Sequence, residues 1–474
     1  FFQPHHGIRD CLLSRGLGDV YKRQNHDWTN YYHWQPLAVV RPSNTAQVQA
    51  IALACSANDV AMVPVGGNTG LAGGTKAQDA IMISLDRMNA IREIKSNSQI
   101  AVVESGAILE KIHQAVDEHD LIFPLLFGAR GSAMIGGNLS TNAGGSNVLR
   151  YGNTRDLCLG VEVVLADGRV MNLMSELRKD NTGLNLKDIF IGAEGTLGII
   201  TAATLKLFQL PKMISTLFVE ADTITNAIDL LNVFKSYFPD RIESFELMPK
   251  VFWEVAKNNI EKIIMPLEKT PEMGVLIDIS SYSKDDTFPN EEGEIPIIKT
   301  IENVLEECFE KGLISDATIC KNENQSKSLW SIREAAAESE KKELEKSDLI
   351  KCLKHDISLP VESIDKFHND AQNMISNFLP ELKTIYFGHL GDGNLHYNIF
   401  GNGSLPDGFK GNSIDAWVIT ILKNLFIDSL RKKKEDLLGD STPDLSIDDE
   451  SSSVLLCLLY TSPSPRDKRQ SRMP

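Results

Sequence analysis

The chain has 474 residues, of which 42% are hydrophobic and 24% are charged. This composition is ordinary for a globular protein, and the length favours two or three domains. With 48 basic and 64 acidic residues, the net charge is −16, which excludes nonspecific nucleic-acid binding as a main function. No apolar run approaches the roughly 18 residues that a membrane-spanning helix needs. Seven scattered cysteines without metal-type spacing favour a reducing compartment.

The two ends of the chain differ from the rest. Segments 1–24 and 454–474 are basic within an acidic chain, and both resemble translated read-through of an adaptor or vector. We therefore expect both to be non-native tails, with a genuine presequence as the alternative for the first. Segment 401–453 is expected to be divergent, frame-shifted or truncated. The remaining chain is predicted to form two domains, 25–208 and 209–400.

The first half has the pattern of a mixed helix and strand domain. A helix is predicted over 45–58, with apolar residues one turn apart and Ser43 or Asn44 as its cap. A second helical pattern covers 106–119. Short β-branched or apolar runs predict strands at 61–65, 81–85 and 161–165, and from 199 onwards.

Beyond Pro211 glycine becomes rare and the helical patterns lengthen. Helices are predicted over 224–237, 298–311 and 326–346, and strands over 273–280 and 384–387. Ser326 is the predicted cap of the third helix. The change in composition near 205–215 predicts a domain boundary there.

Glycine is concentrated in three short windows. Of the 33 glycines, 16 fall in windows 64–75, 128–152 and 183–198. Backbone without a Cβ lets a phosphate approach closely, and successive N–H groups form an anion nest. The first window lacks the Gly-x-Gly-x-x-Gly and Gly-Lys-Ser/Thr patterns, so a flexible turn is its alternative reading. The small polar residues of the second window suit contact with the long edge of a cofactor. For the third window, a core strand kinked at its glycines is an equally good interpretation.

Four stretches together resemble a known flavoprotein family. They are 65–75, 131–145, 177–183 and 190–200, and the similarity extends from Asp27 to Phe400. The chain resembles the FAD-linked D-2-hydroxy-acid dehydrogenases of the vanillyl-alcohol-oxidase type, which include D-2-hydroxyglutarate and D-lactate dehydrogenases and glycolate oxidase flavin subunits. The resemblance implies an α+β fold, with a two-subdomain FAD-binding module over 25–208 and an α+β cap (substrate) domain over 209–400.

The resemblance places the FAD contacts on all three windows. Noncovalent FAD is implied, because Asn68 stands in the loop where some relatives carry the histidine that is joined to the cofactor. The implied contact residues are Pro64, Gly66, Gly67, Asn68, Thr69, Gly70, Leu71, Gly131, Ser132, Gly136, Asn138, Thr141, Asn142, Gly144, Gly192, Glu194, Gly195, Leu197, Gly198 and Ile199.

The second half carries two motifs that imply substrate contacts. Leu329-Trp-Ser-Ile-Arg-Glu334 resembles the family's Leu-Trp-x-x-Arg-Glu, in which the arginine holds the substrate carboxylate. A bidentate guanidinium suits that task, so Arg333 is the implied carboxylate ligand. Lys354 aligns with a lysine that meets the distal carboxylate in hydroxyglutarate dehydrogenases. Ala337 stands where those enzymes carry threonine, which weakens the choice of hydroxyglutarate over lactate.

A third motif implies a metal site. Gly388-His-Leu-Gly-Asp-Gly-Asn-Leu-His-Tyr-Asn398 has two histidines seven residues apart around a predicted turn. A short hairpin brings such imidazoles toward one divalent ion. By resemblance, His389 and His396 bind the metal, expected to be zinc, and Asn398 lies beside the substrate.

Together these features imply FAD-dependent oxidation of a D-2-hydroxy acid, D-2-hydroxyglutarate or D-lactate, to the 2-oxo acid by hydride transfer to flavin, with a divalent metal polarising the hydroxyl. The family completes its site with a Ser-x-Glu-His-Gly motif that supplies a third ligand and the base. No histidine follows His396, so we assign no catalytic base and expect an oxidoreductase with little turnover.

Two other functions stay open at this stage. One is a noncatalytic or inactive FAD-binding subunit, and the other is an alkyl-glycerone-phosphate synthase of the same fold. The expected partners are the hydroxy acid, an electron acceptor (an electron-transfer flavoprotein, a quinone or a cytochrome) and a second copy of the chain in a homodimer. The expected compartment is a bacterial cytoplasm or a mitochondrial matrix.

Overall fold

The computed structural model describes residues 25–30, 32–346, 351–378 and 382–401. The predicted tails 1–24 and 454–474 and nearly all of segment 401–453 lie outside this range. The chain divides into two compact units between Leu210 and Pro211. Within the described residues, no helix is long and apolar enough to cross a membrane.

The strands of the described residues are β1 (Ala38–Val40), β2 (Met62–Val65), β3 (Ile81–Ser84), β4 (Ile91–Lys95), β5 (Ile100–Glu104), β6 (Leu121–Ile122), β7 (Cys158–Val164), β8 (Val170–Leu173), β9 (Ile199–Lys206), β10 (Phe208–Gln209), β11 (Met213–Ala221), β12 (Ile242–Pro249), β13 (Met273–Ser281), β14 (Asp316–Ile319), β15 (Lys351–Ser358), β16 (Lys383–His389) and β17 (Asn394–Gly401). Their helices are α1 (Thr45–Ala57), α2 (Leu109–Asp117), α3 (Ile135–Thr141), α4 (Val148–Tyr151), α5 (Lys187–Phe190), α6 (Ile224–Tyr237), α7 (Lys250–Asn259), α8 (Lys284–Thr287), α9 (Pro296–Glu310), α10 (Glu323–Glu334), α11 (Ala336–Lys346) and α12 (Ile364–Phe378).

The first unit begins with a small parallel sheet in the order β1-β3-β2. Helix α1 connects β1 to β2 and buries Val48, Ala52 and Cys55 along one face, as the sequence pattern predicts. The Asn44 side chain accepts a hydrogen bond from the Gln47 amide at 3.0 Å, so of the two predicted caps the structure uses Asn44. The first glycine window follows the carboxyl end of β2.

The first unit also contains a two-stranded antiparallel sheet of β10 and β6 and a five-stranded antiparallel sheet in the order β4-β5-β9-β7-β8. Its central strands β7 and β9 are almost entirely buried. Helix α2 presents Leu109, Ile112 and Val116 to the same core. The second and third glycine windows flank this sheet, the third ending where β9 begins.

The second unit is built on a seven-stranded sheet in the order β14-β11-β13-β12-β16-β17-β15. Because directly paired residues share a face of a sheet, its register assigns the chemistry to one side, here called the polar face. The polar face carries Glu246, Asp278, Lys354, Asp356, His389, His396 and Asn398. Helices α7, α10 and α11 pack on this side around Trp253, Leu329 and Ala336.

Two predictions about the third helix of this unit are wrong. The predicted helix over 326–346 is two helices, which are separated at Ala335. Its cap is Asn322, whose side chain accepts from the Gln325 amide at 3.1 Å. Ser326 lies one turn further on, and its hydroxyl shares a 2.7 Å hydrogen bond with the Thr216 hydroxyl, so it fastens α10 to β11 instead.

Candidate functional site

The first two glycine windows pack against each other in the first unit. A Cβ built at Gly67 would lie 2.0 Å from the Ser132 carbonyl oxygen, and one at Gly66 would lie 3.2 Å from the Met134 Cβ. Side chains at Gly66 and Gly67 would therefore force the two segments apart. A Cβ built at Gly70 would have no atom within 4 Å, so the tip of the loop is open.

The second and third windows are joined by backbone hydrogen bonds. The Gly192 amide donates to the Leu139 carbonyl at 2.9 Å, and the Glu194 amide donates to the Ser140 carbonyl at 2.8 Å. A Cβ at Gly74 would lie 3.6 Å from the Glu194 carboxylate, so the first window reaches the third as well. The three windows, which are spread over residues 64–198 of the chain, converge on one place.

The converging backbone has the features of a ligand cradle. Asn68, Asn142 and Glu194 have φ values of 53°, 47° and 52°, in the left-handed region that non-glycine residues rarely adopt. The buried Asn138 Oδ1 has no hydrogen-bond partner among the described residues. An unsatisfied buried oxygen beside close-packed, open-tipped glycine loops fits a bound polar cofactor such as FAD.

For some window residues, packing within the protein alone explains the residue type. A Cβ at Gly136 would lie 2.6 Å from the Ser105 Cβ, and one at Gly198 would lie 2.5 Å from the Val163 Cγ1. Ile199 pairs with Val164 in the sheet. The other predicted contacts lie at or near the converging loops: Pro64, Gly66, Gly67, Asn68, Thr69, Gly70, Leu71, Gly131, Ser132, Thr141, Asn142, Gly144, Gly192, Glu194, Gly195 and Leu197.

In the second unit, Glu246 joins the predicted carboxylate ligand to the predicted metal ligand. It is fully buried on β12. Its Oε2 accepts from the Arg333 Nε at 2.9 Å, and its Oε1 lies 2.5 Å from the His389 Nδ1. Arg333 Nη2 lies 2.7 Å from the same Oε2, but its N–H bonds are not directed at any acceptor among the described residues. Arg333 therefore has a buried donor left for a ligand.

Electrostatics fix the protonation of this pair. Burial alone would raise the pKa of Glu246, but His389 and Arg333 hold it at about 2, so the carboxylate is ionised. Burial would lower the pKa of His389, yet Glu246 raises it above its usual value. An ionised acceptor requires His389 Nδ1 to carry hydrogen, which directs Nε2 away from Glu246.

His396 also lies beside a carboxylate. Its Nδ1 lies 2.9 Å from the Asp356 Oδ1, and the His389 and His396 rings are 5.4 Å apart at 76°. Carboxylate partners on Nδ1 are typical of metal-binding histidines, whose Nε2 then faces the ion. No group of three or more His, Cys, Asp and Glu suited to a metal occurs in the part of the chain that the structure describes. The residues present therefore supply two imidazole ligands of such a site.

The remaining two predicted substrate residues meet at one carboxylate. The Lys354 ammonium lies 2.5 Å from the Glu340 Oε2, and the Asn398 side-chain amide donates to the Glu340 Oε1 at 2.6 Å. Glu340 projects from α11 and is only 2% exposed. The structure therefore brings Lys354 and Asn398 together through an acid that the motifs do not include.

Asp278 fastens α10, the helix that carries Arg333, to the sheet. Its Oδ2 accepts from the Trp330 indole at 2.9 Å, and its Oδ1 accepts from the Thr216 hydroxyl at 2.5 Å. Burial raises the pKa of Asp278 to about 7, although both hydrogen bonds oppose the rise. Since Trp330 and Arg333 are one helical turn apart, this contact sets the rotation of α10.

Asp278→Asn is expected to remove a pH-dependent loss of stability. In the folded chain the Asp278 pKa is raised from 3.8 to about 7. Between these two pH values, Asp278 therefore takes up a proton when the chain folds. The resulting stabilisation is full below 3.8 and is lost as pH rises through 7, by up to about 4 kcal/mol. The melting temperature of the wild type, minus that of D278N, should fall between pH 4 and 8. The matched change D229N at an exposed aspartate is the control, and a melting-temperature difference for D278N that does not vary with pH would contradict the assignment.

Four acids of the site were not predicted from the sequence: Glu246, Asp278, Glu340 and Asp356. Two of them had a recognisable signal, because Glu246 and Asp278 stand within strands that are buried along nearly their whole length, and a buried acid requires a partner. Asp356 stands two residues after Lys354 within a motif that was singled out. Glu340 gave no signal, since it lies in a run of exposed-type helix residues.

Comparisons with known proteins agree with this arrangement. The FAD binding domain family matches residues 36–174, and the family of the C-terminal domain of FAD linked oxidases matches residues 210–408. A solved structure of alkyldihydroxyacetonephosphate synthase is similar in fold, with a TM-score of 0.61 at 16% identity over 89% of this chain and 75% of that one. These matches define a FAD-linked oxidase of the vanillyl-alcohol-oxidase type and confirm the predicted fold class.

Sequence relatives define the family more narrowly. Mitochondrial D-2-hydroxyglutarate dehydrogenase of Rattus norvegicus is 32% identical over 92% of this chain and 79% of its own length. The enzyme of Arabidopsis thaliana is 35% identical over 79% of this chain, which spans 64% of that relative. D-2-hydroxyglutarate dehydrogenase of Xanthomonas citri pv. viticola is 31% identical over 79% of this chain and 75% of its own length. The chain belongs to the FAD-linked D-2-hydroxy-acid dehydrogenase family, as its motifs predict.

Proposed function

We propose that this protein oxidises a D-2-hydroxy acid, of the D-lactate or D-2-hydroxyglutarate type, to the 2-oxo acid. The observation that carries the proposal is the polar face, where a buried arginine with an unused donor lies one carboxylate away from an oriented imidazole pair. Arg333 binds the substrate carboxylate through that donor. Glu246 fixes the positions of both Arg333 and His389. A single buried acid therefore positions the groups that contact the substrate carboxylate and the C2 hydroxyl.

The three glycine windows would hold FAD, which would accept the C2 hydride of the hydroxy acid while the hydroxyl proton is lost to a base that is not assigned. The loop residues around Gly67, Asn138 and Gly192 are proposed to hold it noncovalently, because Asn68 stands in the loop where a covalent link would need a histidine, and its side chain is hydrogen-bonded within the protein. Its Nδ2 donates to the His26 carbonyl at 2.9 Å, and its Oδ1 accepts from Thr75 at 2.7 Å. An electron-transfer flavoprotein, quinone or cytochrome is the proposed final acceptor, and a homodimer stays a prediction.

Turnover tests the proposal. The protein, reconstituted with FAD, is incubated with D-lactate or D-2-hydroxyglutarate and a redox dye, and the 2-oxo acid is measured as its hydrazone. We expect dye reduction and 2-oxo acid in equal amounts from a D acid and none from its L enantiomer. Flavin binding without 2-oxo acid from any D-2-hydroxy acid would instead favour a noncatalytic FAD-binding subunit.

His389 and His396 are the proposed protein ligands of a divalent metal, with zinc the first candidate. Such an ion, when bound, lowers the pKa of the substrate hydroxyl. The support is the Nδ1 contact of each ring with a carboxylate, which leaves both Nε2 atoms for the ion.

His396→Asn is expected to weaken Zn²⁺ binding by about tenfold or more. The measurement is the zinc retained per chain after equilibrium dialysis, by plasma mass spectrometry. Exposed His119 provides the matched control H119N, which should retain the wild-type amount. Equal retention by H396N and the wild type would remove His396 from the site.

A further inference from the structure

Glu340 is a buried acid whose two oxygens are both used. It lies on α11 at 2% exposure, with Lys354 on one oxygen at 2.5 Å and Asn398 on the other at 2.6 Å. A buried carboxylate is costly unless it is paired and hydrogen-bonded. Glu340 meets both conditions, so it is a fixed negative charge of the site.

The two cations of the polar face differ in what they offer a ligand. Arg333 shares Glu246 with His389 and keeps a buried Nη2 whose N–H bonds meet no acceptor among the described residues. Lys354 is matched by a carboxylate of its own, and its side chain is 28% exposed against 2% for that of Glu340. The face therefore provides one anchoring point for a carboxylate, at Arg333, while its second cation is already neutralised.

The space beside Glu340 is apolar. Its neighbours are Phe252, Ala336, Ile385 and Phe387, which with Ser339 and Glu340 enclose a void of only about 10 Å³. The Phe387 ring also lies 4.9 Å from the Arg333 Cζ, so one apolar side chain contacts both the carboxylate anchor and the surroundings of Glu340. A substrate side chain that approaches Lys354 and Asn398 would therefore meet hydrocarbon and the carboxylate that already binds both residues.

We propose that Glu340 selects D-2-hydroxy acids whose side chain is uncharged, such as D-lactate, over those that carry a second carboxylate, such as D-2-hydroxyglutarate. This inference rests on the proposed function and specifies its substrate. Two carboxylates in a poorly solvated site repel each other, and Glu340 already has Lys354 and Asn398 as its partners. Glu340 acts by occupying Lys354 and Asn398, so it is a specificity-determining residue.

Glu340→Gln is the direct test, because glutamine keeps the size and a hydrogen-bonding group while Lys354 loses its counter-charge. The wild type should have a higher kcat/KM for D-lactate than for D-2-hydroxyglutarate. E340Q should shift that ratio toward D-2-hydroxyglutarate by about tenfold or more. Adding Lys354→Met to E340Q should abolish the shift. A wild type that prefers D-2-hydroxyglutarate, or a ratio unchanged in E340Q, would overturn the proposal.

A binding measurement separates this inference from the proposed function. The Kd values of pyruvate and 2-oxoglutarate are measured by calorimetry, which needs no turnover. The wild type should bind pyruvate more tightly, and E340Q should tighten only 2-oxoglutarate. If no D-2-hydroxy acid is oxidised but this pattern holds, the proposed function fails while the selectivity stands. If turnover occurs and 2-oxoglutarate binds the wild type more tightly than pyruvate does, the selectivity fails alone.

Discussion

Replacing Arg333 by lysine is expected to lower kcat/KM for a D-2-hydroxy acid by about a hundredfold or more while the second unit stays folded. Lysine keeps the charge that Glu246 requires but loses the planar fork that can hold Glu246 and a substrate carboxylate together. Arg333 is 8% exposed and hydrogen-bonded to Glu246 through Nε. No other donor on α10 can replace both contacts.

Arg333→Met separates the two functions of this residue. It leaves the charge of Glu246 without its arginine partner in a buried position, which costs about 3–5 kcal/mol, so the melting temperature should fall as well as activity. Lys327 on the same helix forms only an exposed ion pair with Glu323, and K327M should change neither. The measurements are steady-state kinetics and melting curves of each variant. A wild-type kcat/KM in R333K would contradict the role assigned to Arg333.

Replacing Gly67 by alanine is expected to abolish FAD retention and to destabilise the first unit. The new methyl group would lie 2.0 Å from the Ser132 carbonyl oxygen, a backbone atom that moves only if the first two windows separate. The destabilisation should be several kcal/mol, because overpacking against backbone is relieved only by moving a loop. The measurements are flavin absorbance per chain after gel filtration and the melting temperature of the apoprotein.

Gly70→Ala is the matched variant in the same loop. A Cβ there has nothing within 4 Å, so the melting temperature of the apoprotein should equal that of the wild type. If the loop tip faces the cofactor, G70A should still weaken FAD binding by about tenfold. Normal FAD retention in G67A would contradict the proposed cradle. Normal retention in G70A would move the contact away from the loop tip.

The glycine windows could be predicted from sequence because their demands are local. Where two backbone segments approach closely, or where a loop tip must stay open, side chains are excluded whatever the rest of the fold is. The requirement for glycine can therefore be recognised from the local composition. The hairpin between β16 and β17 was predictable for a similar reason. Its turn at 390–393, with Gly393 at a φ of 82°, requires the residue type that the motif provides.

The pairings of the polar face could not be predicted, because the sheet register creates them. Glu246 lies 87 residues before Arg333 and 143 before His389. The pairing of β12 with β16 places Glu246 beside His389, and the packing of α10 on the sheet brings Arg333 to the same carboxylate. The division of the predicted helix at Ala335 has the same origin, since neither glycine nor proline marks it. Tertiary contacts by Arg333 on α10 and Glu340 on α11 fix the two helix directions, overriding local propensity.

Anaerobic titration of the FAD-loaded protein tests the central claim most directly. The absorbance of oxidised flavin, at roughly 450 nm, is recorded during addition of D-lactate and then, in a separate sample, of L-lactate. The D acid should bleach this band with one pyruvate formed per flavin, and the L acid should leave it unchanged. A protein that stays colourless after incubation with FAD, or a flavin that neither D-lactate nor D-2-hydroxyglutarate reduces, would contradict it.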